Sequence, residues 1–317
     1  MTLPESRQLD FDEIPVIDIS RLHGGADTRE TVHAIDRACR DIGFFYIVGH
    51  GFDMSLVTRL REAASEFFNL PETARRSLGL DPSMRGFLPL FYHSQISDSF
   101  SGTSHQEGFW IGAEFGSDIR NPLEQANRWP QHPERLRPIM LEYLEAIESL
   151  AAVLGQGFAD ALDQDGQFYT SHFTRPTSRL KLNHYPPQDN PKRIDSIGVV
   201  PHSDSGAFTI LWQDANGGLE VQTKTGEWVG APPLEDSFVV NIGDILQYWS
   251  NGRYASTKHR VINRYGVDRY SIPYFVNPSA DVVISALDGS ESFSPFNYGD
   301  YQLAKWRNFF PVDESGD

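Results

Sequence analysis

The spacing of apolar residues predicts a helix near the start of the chain. Apolar side chains from Val32 to Ile42 recur at intervals of three and four residues, which is typical of one buried helix face. Asp27 and Glu30 stand three residues apart before this segment and predict a capping box. We expect the helix to end at Gly43.

The next segments alternate between strand and helix patterns. Residues 44–48 form an apolar run that predicts a buried strand, and a second helix is expected from about Asp53 until Pro71 terminates it. Residues 82–133 are rich in Gly, Ser, Pro and aromatic residues without a period, so we expect a long, partly ordered loop. Residues 134–161 again show helical spacing, and this helix is expected to back a sheet.

The pattern changes to a period of two between residues 179 and 286. Short segments rich in Val, Ile, Tyr and Phe are separated by turn sequences such as Asn-Gly-Gly at 216–218, which predicts a compact antiparallel barrel or sandwich. No repeat or low-complexity linker divides the chain, so we expect one unit over 1–317. Within it, residues 1–178 form an α-rich part, residues 179–286 the β core, and residues 287–317 a C-terminal helix and tail.

Composition and charge exclude several classes of protein. With 39% hydrophobic and 22% charged residues, the 317-residue chain is not expected to be disordered. Lys and Arg number 27 against 43 Asp and Glu, and the net charge of −16 would repel nucleic acid or an anionic bilayer. The single cysteine, Cys39, cannot form an internal disulfide, and neither a secretory signal nor a stretch near the ~20 apolar residues of a membrane span is found. We therefore expect a cytoplasmic protein that binds neither nucleic acid nor membrane, of undetermined oligomeric state.

Three residues form a candidate metal site. His202 and Asp204 are two residues apart at a predicted strand end, which places both side chains on one face about 7 Å apart. His259, on a later strand, would complete a set of two imidazoles and one carboxylate. Such a set is typical of non-haem Fe(II), because it leaves positions open for a chelating cosubstrate and O₂. An isolated His-x-Asp pair is common by chance, however, and a solvent-facing or core position is the competing interpretation.

A candidate anion site follows ten residues after His259. Arg269 and Ser271 share one face of a predicted strand, and a guanidinium beside a hydroxyl suits a carboxylate. The alternative is an exposed arginine in a surface ion pair, which is the commoner situation on a strand.

Strand parity predicts a polar row that faces a cavity. Arg179, Lys181, Asn183 and Tyr185 alternate with mostly apolar residues, so the four side chains point the same way. If this face is interior, it indicates a wet, ligand-holding cavity. An exposed edge strand would show the same pattern.

Nine short segments carry a family pattern. They are Ile14-Pro15-Val16-Ile17-Asp18, Gly43 to Gly51, Asn183-His184-Tyr185-Pro186-Pro187, His202-Ser203-Asp204-Ser205-Gly206, residues 216–222, Asn241-Ile242-Gly243-Asp244, Ser250-Asn251-Gly252, His259-Arg260-Val261 and Arg269-Tyr270-Ser271. In order and spacing these segments resemble the isopenicillin N synthase-like family of Fe(II)/2-oxoglutarate-dependent dioxygenases. The resemblance covers nearly the whole chain.

The resemblance implies a fold and a metal. The fold would be mainly β with α elaboration, in which a double-stranded β-helix, or jelly roll, is backed by helices. The metal would be Fe(II), held within the core at 179–286 by His202, Asp204 and His259.

The resemblance also implies the cosubstrates. Arg269 and Ser271, with Tyr185 nearby, would bind the 5-carboxylate of 2-oxoglutarate, and Asn183 would approach its other end. The implied activity uses O₂ to oxidise a small organic metabolite and releases succinate and CO₂. Hydroxylation is the default outcome, and desaturation or oxidative cyclisation begins in the same way. Two alternatives stay open: an Fe(II) oxidase of the same fold that does not use 2-oxoglutarate, and a non-catalytic small-molecule binding protein.

The substrate pocket is the least defined part of the site. Phe275 shares a strand face with Arg269 and Ser271 and is expected to form an apolar wall, although a plain core position fits the pattern equally well. The further candidates are Lys181, Ser205, Phe91, Tyr92 and Trp110.

Overall fold

The fold is taken from a computed structural model. The structure describes residues 14–24, 27–90, 104–188, 197–263 and 266–307.

Helices and strands alternate along the described residues. The helices are α1 (Arg29–Asp41), α2 (Met54–Phe68), α3 (Glu72–Arg76), α4 (Leu136–Ala161), α5 (Phe168–His172), α6 (Asp244–Trp249) and α7 (Tyr298–Arg307), with a 3-10 helix at Ser20–His23. The strands are β1 (Val16–Asp18), β2 (Phe44–Val48), β3 (Gly86–Leu88), β4 (Glu107–Gly112), β5 (Arg179–Tyr185), β6 (Val199–His202), β7 (Phe208–Gln213), β8 (Leu219–Gln222), β9 (Trp228–Gly230), β10 (Phe238–Ile242), β11 (His259–Val261), β12 (Arg269–Val276), β13 (Val283–Ile284) and β14 (Phe296–Asn297).

Two sheets pack face to face. The larger has the order β1-β2-β10-β7-β12-β5-β4-β3, and the smaller has the order β6-β11-β8-β9. One apolar cluster joins them, because Tyr46 and Val239 of the larger sheet pack with Val221 and Val261 of the smaller. The strands thus form a sandwich of two sheets, and the predicted jelly-roll core backed by helices is confirmed.

The helices cover the other face of the larger sheet. Helix α4 buries Tyr143, Ile147 and Leu154 in the same core as Ile47 of β2 and Ile210 of β7. Helices α1 and α2 add their apolar faces to this core. The pattern over residues 134–161 therefore predicts both the extent of α4 and its role behind the sheet.

The predicted long loop at 82–133 contains two strands of the larger sheet. Strands β3 and β4 continue the sheet beyond β5, and β4 is buried along its whole length. The loop prediction was wrong here because both faces of β4 are covered, so the strand shows no alternation of polar and apolar residues. The sheet takes strands from both sides of residue 178, and the proposed division of the chain at this point stays a prediction.

The start of α1 differs in detail from the predicted capping box. Oδ1 of Asp27 accepts the backbone N–H of Arg29 at 3.1 Å, whereas Glu30 pairs with Arg21. The helix begins one residue after Thr28, whose own side chain makes no capping hydrogen bond. The capping-box prediction was wrong because Thr28, and not Asp27, is the N-cap residue, so Glu30 is not at the third helical position.

Gly43 ends α1 in a conformation that suits glycine. Its φ of +69° is in the left-handed region, and its N–H donates to the carbonyl of Ala38 at 2.9 Å. A Cβ here would overlap the backbone oxygen of Ala255. The backbone crossing between α1 and the segment before β11 therefore requires glycine.

Replacing Gly43 with alanine should destabilise the protein strongly. We expect Gly43→Ala to lower the free energy of unfolding by about 2 to 4 kcal/mol, from backbone strain plus overpacking. Gly116→Ala is the matched control, because Gly116 also has a positive φ of +58° but has open space around it. Denaturant unfolding of both variants checks this, and equal midpoints would show that the contact with Ala255 costs nothing.

Candidate active site

The two histidines and the aspartate of the candidate metal site converge in the structure. His202 ends β6 and pairs across the smaller sheet with His259 of β11, while Asp204 follows His202 by two residues. The Nε2 atoms of His202 and His259 lie 3.6 and 3.7 Å from Oδ1 of Asp204. Among the described residues, these three side chains form a group that could hold a metal ion, with donor atoms within 4.8 Å of one another.

Hydrogen bonds fix the orientation of His202 and Asp204. Nδ1 of His202 donates to the carbonyl of Val200 at 2.8 Å, so Nε2 carries the lone pair that faces the site. Oδ2 of Asp204 accepts from Oγ1 of Thr209 at 2.6 Å and from Nδ2 of Asn241 at 2.8 Å. Oδ1 therefore remains for a ligand, which is the usual arrangement of outer partners around a metal site.

The charge states also suit a cation. Burial lowers the pKa of His202 to about 4, and the neighbouring His259 acts in the same direction. Burial acts to raise the pKa of Asp204, but His259, His202 and the two hydrogen-bond donors outweigh it and lower the pKa. Near neutral pH the site thus offers a neutral imidazole and an ionised carboxylate, the forms that bind a divalent metal.

The candidate anion site is buried and has unsatisfied polar atoms. Arg269 is 1% exposed, and its Nε donates to the carbonyl of Gly217 while Nη2 donates to Gln213 at 3.2 Å. Nη1 of Arg269 and Oδ1 of Asn183 have no partner among the described residues. Ser271 lies opposite Asn183 in the sheet and accepts its amide N–H at 3.2 Å. A buried guanidinium with a spare donor indicates an anionic ligand, because an unmet buried donor is costly.

A cavity of about 370 Å³ lies between the sheets and joins these groups. The residues predicted for the metal and anion sites all line it: His202, Asp204, His259, Arg269, Ser271, Tyr185 and Asn183. Arg269 also lies over the Tyr185 ring, 4.6 Å from its centroid.

The substrate-pocket candidates fall into three groups. Phe275 and Trp110 line the cavity and stack on each other, with ring centroids 5.4 Å apart. Lys181 also lines the cavity, and so does Ser205, which donates to Gln302 of α7 at 3.1 Å. The other two candidates, Phe91 and Tyr92, lie outside the described residues.

Some lining residues have no counterpart in the sequence predictions. Thr209 and Asn241 hold Asp204. Asn241 belongs to one segment of the family pattern, and its polar side chain within the apolar strand β10 is the signal that could have marked it as a site residue. Gln302 and Trp306 come from α7, and Gln106 precedes β4. No local signal marks these three as cavity residues, because they reach the site only through long-range packing.

Comparisons with known proteins place the chain in a family. Residues 176–278 match the 2OG-Fe(II) oxygenase superfamily, and residues 14–132 match the family described as non-haem dioxygenase in morphine synthesis N-terminal. Homoarginine-6-hydroxylase 2-ODD-C23 of Glycine max is 32% identical over 323 residues, covering 93% of this chain and 97% of that protein. The chain belongs to the 2OG-Fe(II) oxygenase superfamily.

A second relative and a solved structure support the same family assignment. Gibberellin 2-beta-dioxygenase 8 of Arabidopsis thaliana is 31% identical over 300 residues, covering 92% of this chain and 81% of that protein. The crystal structure of a full-length Neurospora crassa protein in complex with alpha-KG and thymine superposes with a TM-score of 0.85 at 27% identity, covering 95% of this chain and 99% of that one.

Membership settles the class of the enzyme and its requirements. The protein is a non-haem oxygenase that depends on Fe(II), 2-oxoglutarate and O₂. Of its described helices, not one combines the length and apolar character needed to cross a membrane.

Proposed function

We propose that this oxygenase binds Fe(II) through His202, Asp204 and His259 and oxidises a C–H bond of a small organic metabolite. The observation that supports this proposal is the position of one donor atom each from His202, Asp204 and His259. These atoms lie within 4.8 Å of one another at the wall of the cavity. Iron bound there would activate O₂, one atom of which oxidises 2-oxoglutarate to succinate and CO₂ while the other oxidises the substrate.

The residues around the iron site hold it in a defined shape. Val200 keeps the proton of His202 on Nδ1, so that Nε2 is free to coordinate. Thr209 and Asn241 occupy Oδ2 of Asp204 and leave one oxygen for the metal. These two ligands therefore keep their positions without a metal, and little ordering is needed on binding.

Arg269 and Ser271 bind the distal carboxylate of 2-oxoglutarate in this proposal. The support is the spare Nη1 donor of Arg269, in a buried position where a charge-assisted bond is strong. Asn183 presents a free carbonyl oxygen to the same cavity and bonds Ser271, which orients the hydroxyl. Tyr185 lies against the guanidinium and holds its plane.

The size of the cavity supports a small substrate. A space of about 370 Å³ that must also admit 2-oxoglutarate suits a metabolite rather than a macromolecule. The relatives named above support the same class, since their names refer to homoarginine and gibberellin, and one structure contains thymine. A cytoplasmic location and the absence of nucleic acid or membrane partners remain predictions from the sequence.

Succinate release tests the proposal. The protein is loaded anaerobically with Fe(II), supplied with 2-oxoglutarate and O₂, and screened against a metabolite library for substrate-stimulated succinate. We expect stimulation that disappears when 2-oxoglutarate is omitted or iron is chelated. Full turnover without 2-oxoglutarate would identify the oxidase instead, and failure to take up one Fe(II) per chain would favour the binding protein.

The outer partners of Asp204 should affect metal affinity. Asn241→Ala removes one of the two donors to Oδ2, and we expect Fe(II) affinity to fall by about 10- to 100-fold, as is usual for such partners. Asn251→Ala is the control, because Asn251 is exposed and bonds Asp288 at the surface. Anaerobic Fe(II) titration measures both variants, and equal affinities would show that Asn241 does not support the site.

A further inference from the structure

The cavity carries more positive than negative charge. Within the described part of the chain, the cations that line it are Arg179, Lys181, Arg269 and Lys305. Asp204 is the one carboxylate among these lining residues. The balance is unexpected in a protein with a net charge of −16, and it concentrates positive charge where ligands bind.

Three of the four cations already have partners or an assigned ligand. All the guanidinium nitrogens of Arg179 donate to backbone carbonyls, so none is left for a substrate. The acceptors are Ser83, Thr177, Ser178 and Leu123. Nζ of Lys305 lies 3.6 Å from Asp244, and the side chain is half exposed. Arg269 is assigned to 2-oxoglutarate above.

Lys181 is the cation that remains. Its side chain is buried, and Nζ donates to Oε1 of Gln106 at 3.3 Å and lies 4.7 Å from the centroid of Trp110. Among the described residues, no carboxylate lies within ion-pair distance of it. The ammonium therefore has a neutral amide and an aromatic face as partners, with at least one further donor hydrogen available.

The burial of this ammonium is costly in the free protein. Burial lowers the pKa of Lys181 to about 7, and the negative charge of Asp204 offsets only part of that effect. Near neutral pH the free protein therefore holds Nζ only partly protonated. An anionic group bound beside Nζ would stabilise the charged form, whereas a neutral ligand would not.

The wall beside Lys181 is flat and apolar. Trp110 and Phe275 stack with an interplanar angle of 17°, and Met84, Leu88 and Trp306 belong to the same apolar cluster. All five side chains line the cavity. Such a wall accommodates a flat hydrocarbon or aromatic body.

Two further residues of the cavity lining have donors without partners. Nε1 of Trp110 and Oγ of Ser104 are buried and have no hydrogen-bond partner among the described residues. Both residues line the cavity. Because buried donors are normally hydrogen-bonded, these two groups and Lys181 indicate a ligand with acceptor oxygens.

We infer that the substrate of this oxygenase is a monocarboxylate with a flat apolar body, and that its carboxylate binds Lys181 while its body packs on Trp110 and Phe275. This inference rests on the proposed function of the same site. A single ammonium with neutral neighbours matches the single charge of a carboxylate, whereas a phosphate ester would need further free cations.

Paired probes test the carboxylate requirement. The Fe(II)-loaded protein is saturated anaerobically with 2-oxoglutarate, so that Arg269 is occupied, and titrated calorimetrically with matched acids and amides. The pairs are trans-cinnamate with cinnamamide, 3-phenylpropionate with its amide, and 2-naphthoate with its amide. We expect the acid of at least one pair to bind tenfold or more tightly than its amide.

Variants of Lys181 identify the group responsible. In Lys181→Met and Lys181→Gln the preference for the acid over the amide should disappear, while binding of the amide persists. Lys181→Arg should retain most of the preference for the acid. Lys224→Met is the matched control, because Lys224 is exposed in the turn between β8 and β9, and its preference should equal that of the wild type. Persistent amide binding also shows that the variants are folded.

Two outcomes overturn the inference. One is the absence of any acid preference in all three pairs, and the other is a preference that survives both uncharged variants. Binding of 2-oxoglutarate to the Fe(II)-loaded protein is measured in the same preparation. If 2-oxoglutarate binds and no acid preference is found, the inference fails and the proposed function stands. If neither Fe(II) nor 2-oxoglutarate binds, both fail.

Discussion

Asp204→Ala should abolish stoichiometric Fe(II) binding and with it substrate-dependent succinate formation. Removing this carboxylate leaves only the two imidazoles as ligands. The lost donor is Oδ1 of Asp204, which lies 3.6 Å from Nε2 of His202 and 3.7 Å from Nε2 of His259. We expect Fe(II) affinity to fall at least about 100-fold, since loss of an outer partner alone costs up to that much. Anaerobic Fe(II) titration and a succinate assay measure the effect.

A surface aspartate provides the control for this change. Asp281 is exposed at the turn before β13, and Asp281→Ala should bind iron as the wild type does. Thermal unfolding of the metal-free proteins separates binding from folding, because Asp204→Ala removes a buried charge and should not unfold the chain. Retention of one tightly bound Fe(II) in Asp204→Ala would refute the assignment of the ligands.

Arg269→Leu should weaken 2-oxoglutarate binding by about 2 to 5 kcal/mol, as expected for a broken buried ion pair. This corresponds to an apparent affinity reduced about 30-fold or more, because each 1.4 kcal/mol is a factor of ten. The physical reason is that the distal carboxylate would lie in a buried pocket without its guanidinium. Succinate formation measured against 2-oxoglutarate concentration gives the shift.

Two comparison variants separate charge, geometry and stability. Arg269→Lys keeps the positive charge but loses the fork of donors, so its affinity should lie between those of the wild type and Arg269→Leu. Arg29→Leu removes an exposed partner of Asp27 and should leave the affinity unchanged. Unfolding temperatures are compared because Arg269 also holds Gly217 and Gln213. An unaltered affinity in Arg269→Leu would place the anchor elsewhere.

Much of the site could be predicted because it lies on short strands. Residues two apart on a strand share a face, which brings Asp204 next to His202, and antiparallel pairing brings His259 opposite. The same parity predicts that Lys181 and Asn183 of β5 face the cavity. These inferences need only the alternation of side chains along a strand and a single cavity between the two sheets.

The remaining features depend on contacts between distant parts of the chain. Strand β4 has no visible period because its two faces are both covered. Gln302 meets Ser205 across 97 residues, and nothing in the sequence near either residue indicates the contact. His184 alternates with the cavity row, yet its sequence does not reveal that it lies between Glu107 and Asp268 at 2.8 and 2.7 Å. Hydrogen-bonded contacts of this kind are decided by packing and not by local propensity.

The metal site and the apolar wall come from different elements, which has an evolutionary consequence. The candidate iron ligands lie on β6, on the residues just after it and on β11. The apolar wall around Trp110 comes from β3 and Met84 before it, from β4, from β12 and from α7. After gene duplication, one copy can therefore exchange wall residues such as Met84 or Trp306 and accept a new molecule while the oxidative chemistry is inherited intact. Directed evolution of this enzyme can use the same division, with the candidate iron ligands kept unchanged and the wall residues randomised.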